Sequence, residues 1–144
     1  MKKNKLSREK SEKKGGRLGL IIFSTLVILI ALIPIIDGIE NLIEKEGAIT
    51  MNLSMSGFST NEITAKAGEP FKVYLVNLDN QYHGDGGGWH QFASDDANFN
   101  FQIAPLDEGT VTIVIDKPGV YEFYCDICCG GKENPSMQGI IIVI

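Results

Sequence analysis

The stretch Tyr121–Gly139, YEFYCDICCGGKENPSMQG, decides how the rest of the chain is read. Its first residues alternate aromatic and polar, the pattern of a half-buried strand. Cys125, Cys128 and Cys129 follow within five residues, then Gly130-Gly131 and Met137. From Gly139 the chain runs GIIIVI to its last residue, a second strand whose unbroken hydrophobicity predicts burial on both faces. The stretch is therefore a loop between two strands, and it holds all three cysteines of the chain. An odd number of clustered thiols closes no useful covalent loop, so stapling does not explain them.

Both histidines lie in another loop, YHGDGGGWHQF, as His83 and His90. Thiolate, thioether and imidazole donors converging from two loops are what a copper site uses, and a thioether is a poor partner for zinc. Gly84, Gly86, Gly87 and Gly88 precede Trp89 and let backbone amides approach the sulfur atoms.

Upstream, Ile49, Met51, Leu53 and Met55 alternate with small polar residues and read as a strand that Ser56-Gly57 ends. EITAK (62–66) and FKVYLVN (71–77) are two more. The polar segment 78–89 is long for a structureless connection, which argues for function. Short strands follow near 90–92, 99–103, 110–115 and 120–124, with the turn Asp116-Lys117-Pro118-Gly119 between the last two. Seven or eight short strands with no helix between them predict an all-β Greek-key β-sandwich.

The sandwich is preceded by a different kind of sequence. Residues 1–17 carry eight Lys/Arg against Glu9 and Glu12 and read as a basic tail without fixed structure. Residues 18–36, LGLIIFSTLVILIALIPII, contain no charge. At helical rise they span roughly 28 Å, the thickness of a hydrocarbon core. A cleaved signal has a shorter apolar region and a small-residue cleavage site, so an uncleaved transmembrane anchor is expected. Residues 37–47 form a stalk, and 48–144 the folded domain. The basic flank predicts a single-pass protein of the cell membrane with a cytoplasmic N-terminus and an extracytoplasmic domain. From Asp37 onward five lysines face 16 acidic residues, a net charge of about −11.

The cysteine loop and the His90 loop together resemble the cupredoxin family over roughly residues 49–144. WHQF is similar to that family's His-x-Phe, VNLD to its Asn-x-Asp approach, and YEFYC to its Tyr-x-Phe-Tyr-Cys. Blue-copper members have a histidine where this chain has Cys128. The binuclear CuA branch, found in subunit II of haem–copper oxidases and in nitrous-oxide reductase, has Cys-x3-Cys-x3-His-x2-Met, which Cys125 and Cys129 match. The resemblance implies one or two copper ions held by His90, Cys125, Cys129 and Met137, with the Ile127 carbonyl as a weak ligand. The chain departs from CuA at Glu133, where a histidine is usual, and at Met137, one residue late. Either Glu133 is an oxygen ligand or His83 supplies a second imidazole.

The resemblance implies electron transfer on the outer face of the membrane, with a basic redox protein such as cytochrome c, or a respiratory complex, as partner of the acidic domain. Copper delivery or storage is an alternative that the extra Cys128 allows. So are thiol–disulfide exchange at Cys125-x-x-Cys128, a closed zinc site of three cysteines and His90, and an open copper position reacting with a small nitrogen oxide or oxygen species. No Ser/His/Asp arrangement, phosphate-binding glycine loop or basic patch outside the membrane is found, so hydrolysis and nucleic-acid binding are not indicated.

Overall fold

The computed structural model describes the backbone from residue 2 to 144 and the side chains of 20–39, 42 and 45–144. It divides into two compact units, Met1–Ile43 and Glu44–Ile144.

The first unit is helical. The helix α1, Lys2–Lys45, is unbroken and contains Pro34. Its backbone thus covers the segments expected as tail, anchor and stalk. The Lys, Glu and Arg of residues 1–17 are good helix formers, which the expectation of an unstructured tail underweighted. The side chains of 1–17 lie outside the described residues. Within α1, Leu20–Ile39 has a mean hydropathy of 2.7 and is long and apolar enough to cross a membrane.

The second unit is a two-sheet sandwich. Its strands are β1 (Ile49–Ser54), β2 (Gly57–Phe58), β3 (Glu62–Ala65), β4 (Phe71–Asn77), β5 (His90–Ser94), β6 (Phe99–Ile103), β7 (Glu108–Ile113), β8 (Gly119–Tyr124) and β9 (Gln138–Val143). One sheet has the order β2-β1-β4-β7 and the other β3-β9-β8-β5-β6. β1 runs parallel to β4 and β3 parallel to β9, so the chain crosses between the sheets instead of meandering. The two-residue β2, which the Ser56-Gly57 turn signal hid, folds back on Leu53 and Ser54.

Period-two patterning explains what is inside. Met51 and Leu53 of β1, Val73 and Leu75 of β4, and Ile141 and Val143 of β9 face the core. β9 does not have both faces buried, as its sequence suggested: Ile140 and Ile142 are half-buried. β5 is the strand buried at all five residues. Phe58, Phe92 and Phe123 meet edge to face with centroids 5.1 to 6.5 Å apart, an arrangement favoured by the ring quadrupoles. Phe123 pairs with Gly139 across the β8–β9 ladder. A Cβ on Gly139 would lie 2.1 Å from the Phe123 ring, so the glycine makes room for the aromatic layer.

Replacing the fully buried Phe123 by alanine is expected to cost roughly 3–5 kcal/mol in chemical denaturation; a loss under about 1 kcal/mol would contradict this account of the core.

Candidate metal centre

The aromatic layer also aims the site. On β8, alternation puts Tyr121, Phe123 and the following Cys125 on the inner side. On β5 it puts His90 on the same side as Phe92. The strands are antiparallel, with Ala93 opposite Tyr124, so the start of β5 lies beside the end of β8. His90 and Cys125 therefore meet at one end of the sandwich, just beyond Phe92 and Phe123. The loop between β8 and β9 is closed by the Cys125 N–H donating to Met137 O at 3.0 Å. This folds Cys125, Cys128 and Met137 into a buried cluster, with Phe58, Ile127 and Cys129 against it.

The centre of the cluster is Cys128. Its Sγ lies 2.9 Å from Cys125 Sγ and 3.1 Å from His90 Nδ1. The donor atoms of His90, Cys128 and Cys129 lie within 4.8 Å of one another, close enough to share a metal ion. The other ring nitrogen of His90 bonds Asp79 Oδ2 at 2.7 Å. A carboxylate on Nε2 fixes the ring and leaves Nδ1 as the donor toward the sulfurs. The N–H of Gln91 donates to Cys125 Sγ at 3.3 Å, and Gln91 Oε1 accepts from the Asp126 N–H at 3.0 Å. Gln91 thus ties β5 to the cysteine loop.

The glycine-rich loop closes the site from the other side. Gly86, at φ +62°, sits where a Cβ would lie 2.7 Å from Ile127 O and 3.0 Å from Cys128 Cβ. Only glycine allows this approach.

The expected ligands separate into two groups. The structure brings His90, Cys125, Cys129 and Met137 to one place. Glu133 is exposed on the 3₁₀ turn Gly131–Glu133 and does not join them. His83 is half-buried and points to Asp79, with Nε2 3.4 Å from Oδ1. The resemblance leaves Cys128 out of the copper ligand set, whereas it occupies the middle of the cluster. Asp79 enters the sequence reading only as the last residue of VNLD, and Met55 only as a strand residue, although its Sδ lies 3.2 Å from Cys129 Sγ. A methionine at the very end of a strand, before Ser-Gly, was the available signal for Met55.

The thiols differ in acidity. The hydrogen bond from Cys128 holds Cys125 down at about 5, against burial, with His90 and the Gln91 N–H adding to the effect. The same pairing pushes the Cys128 thiol far up. Burial raises Cys129. For His90 burial is the largest influence and lowers it, but Cys125 and Asp79 together raise it above the ordinary imidazole value. Without metal, the cluster is an imidazole–thiolate pair with a shared thiol proton.

Fold and donor set together define a metal-binding β-sandwich with its ligands on loops at one end. The chain matches the model of the cupredoxin-like domain over residues 25–143 and belongs to that family. It is similar to nitrous-oxide reductase of Cupriavidus necator, 38% identical over 72 residues that make up 50% of this chain and 11% of that protein. The chain spans between 11% and 15% of the length of the curated relatives it matches, all nitrous-oxide reductases. In fold it is similar to a chain of a haem–copper terminal oxidase, with a TM-score of 0.50, 23% identity and coverage of 93% of this chain and 99% of that one. It is also similar to the metal-binding domain of the Cu(I)-exporting P-type ATPase of Streptococcus pneumoniae, with a TM-score of 0.52, 16% identity and coverage of 69% and 89%. A cupredoxin-like domain with thiol, thioether and imidazole donors at one point fits copper as its cofactor.

In the metal-free protein one thiolate should be present at neutral pH. Because Cys125 is depressed to about 5, its ultraviolet thiolate absorbance should persist on acidification and vanish around that pH. The thiolate stabilises the fold above the ordinary thiol value, and this contribution is lost as pH falls through the depressed one. Cys125→Ser should remove the absorbance at neutral pH; a wild-type thiolate that forms only in alkali would contradict the hydrogen-bonded pair.

Proposed function

We propose that this protein is a membrane-anchored copper cupredoxin that exchanges single electrons on the outer face of the membrane. The observation that carries the proposal is the cluster of Cys125, Cys128 and His90, within 3.1 Å of contact at the end of a rigid sandwich. Copper held there supplies a one-electron couple. The chain's own residues do the rest: Asp79 fixes the imidazole, the Gln91 N–H withdraws charge from Cys125 Sγ, and the aromatic layer beneath keeps water from the sulfurs. Holding the donors still limits rearrangement between oxidation states.

The apolar Leu20–Ile39 supports the anchor. Its basic N-terminal flank supports a cytoplasmic N-terminus and an extracytoplasmic domain. The acidic domain suits a basic partner, such as a cytochrome c, or a site on a respiratory complex.

Copper delivery is the second reading, favoured by the surplus of sulfur: three thiols and two thioethers gather around one imidazole. Thiol–disulfide exchange between Cys125 and Cys128 fits less well. Their sulfurs are in contact, but both residues are buried, and an incoming disulfide needs access.

The full-length protein in detergent should take up copper and keep it through repeated oxidation and reduction. Counting metal per chain and recording the electron paramagnetic resonance spectrum distinguishes one copper from an electronically coupled pair. Transfer of the metal to an acceptor during cycling would favour delivery, and no uptake would refute both. Electron transfer with a cationic cytochrome should slow as salt is raised; a rate indifferent to salt would contradict the charge-steered partner.

A further inference from the structure

Met55 should, by the alternation of β1, point inward like Met51 and Leu53, which are fully buried. It does not. It lies just past the end of β1, 37% exposed, with its thioether 3.2 Å from the half-buried Cys129 thiol. Two soft donors thus stand at the rim of a cluster whose other thiols, Cys125 and Cys128, are buried.

Both donors are held by carboxylates of the 78–89 loop. The Met55 N–H donates to Asp79 Oδ2 at 2.7 Å, the same oxygen that holds His90 Nε2. The Cys129 N–H donates to Asp85 Oδ2. Cys129 has φ +59°, the left-handed region that a residue with a Cβ rarely adopts. Asn134 Nδ2 donates to the Cys129 carbonyl at 2.5 Å and helps to hold that turn.

We infer that Met55 and Cys129 form an outward-facing seat for a soft monovalent cation, Cu(I), in front of the buried cluster, through which the metal enters and leaves. The inference rests on the copper reading above and adds a second position and a route to it. A thioether–thiolate pair selects Cu(I) over hard cations. Cys129 binds as thiolate, so its proton passes to solvent as the ion arrives. Cys128, within 4.8 Å of Cys129 and in contact with Cys125, is the next sulfur inward. The ion then passes from Cys129 to Cys128, and the Cys128 proton passes to the Cys129 thiolate that the ion leaves, without change of oxidation state.

The test uses the full-length protein in detergent, without oxygen, titrated with Cu(I) against a competing chelator. Carbon-13 labelling of the methionine methyl groups reports on Met55 directly. Met55→Leu keeps the volume and removes the sulfur. In the wild type, the Met55 methyl resonance should shift as Cu(I) is added. The variant should bind fewer ions per chain and release its remaining copper to the chelator roughly tenfold more slowly. Saturated wild type with an unmoved Met55 resonance, or a variant equal to wild type in both stoichiometry and release rate, overturns the inference and leaves the buried site intact. A wild type that takes up no Cu(I) overturns the copper reading as well.

Discussion

One buried carboxylate, Asp79, carries the arrangement of this site. Its Oδ2 takes the His90 ring on one side and the Met55 N–H on the other. Its own N–H is held by Asn77 Oδ1 at 2.9 Å. Asn77, buried at the end of β4, spends its amide on the carbonyls of Gly88, Ile103 and Ala104. A single Asn-x-Asp step therefore closes the 78–89 loop against the body of the sandwich and points the imidazole at the sulfurs. With Asp79 in place Nδ1 faces Cys128, and without it the ring has no reason to prefer that tautomer.

Much of this was legible in the sequence, and the reasons are local. Strands β4 and β6 were readable to the residue, because FKVYLVN and FNFQI are dense in β-branched and aromatic side chains between clear breakers. Convergence of His90 and Cys125 followed from the resemblance of their two loops to the cupredoxin pattern. What escaped was set by tertiary contact. β2 is two residues long and exists because Leu53 and Ser54 offer an edge. The burial of β5 on both faces depends on Gln91 being covered by the cysteine loop, which β5's own sequence does not disclose. Counting along the CuA-like motif puts Glu133, as an alternative to His83, at a ligand position. The turn at Gly130-Gly131, with φ +87° and +73°, lets the loop place that residue outward and spend its inward positions on Cys128 and Met137.

The cluster is rich in sulfur, with three thiols and two thioethers gathered around one imidazole. A cluster with one imidazole and a majority of sulfur donors stabilises the reduced ion more than one with two imidazoles. Burial of Cys125 and Cys128 deepens that preference and protects the thiols from oxidation. Such a centre holds Cu(I) readily, which suits an electron carrier of high potential and a copper carrier alike. What divides the two roles is whether the metal stays, and the rim residues Met55 and Cys129 govern that.

Copper held by Cys125, Cys128 and His90 is what the proposed function requires. X-ray absorption at the copper edge of the loaded full-length protein tests it most directly. The expected spectrum has nearest neighbours dominated by sulfur at about 2.3 Å with imidazole nitrogen at about 2.0 Å, the distances thiolate and histidine ligands adopt around a comparable metal ion. A shell of oxygen and nitrogen alone would contradict it.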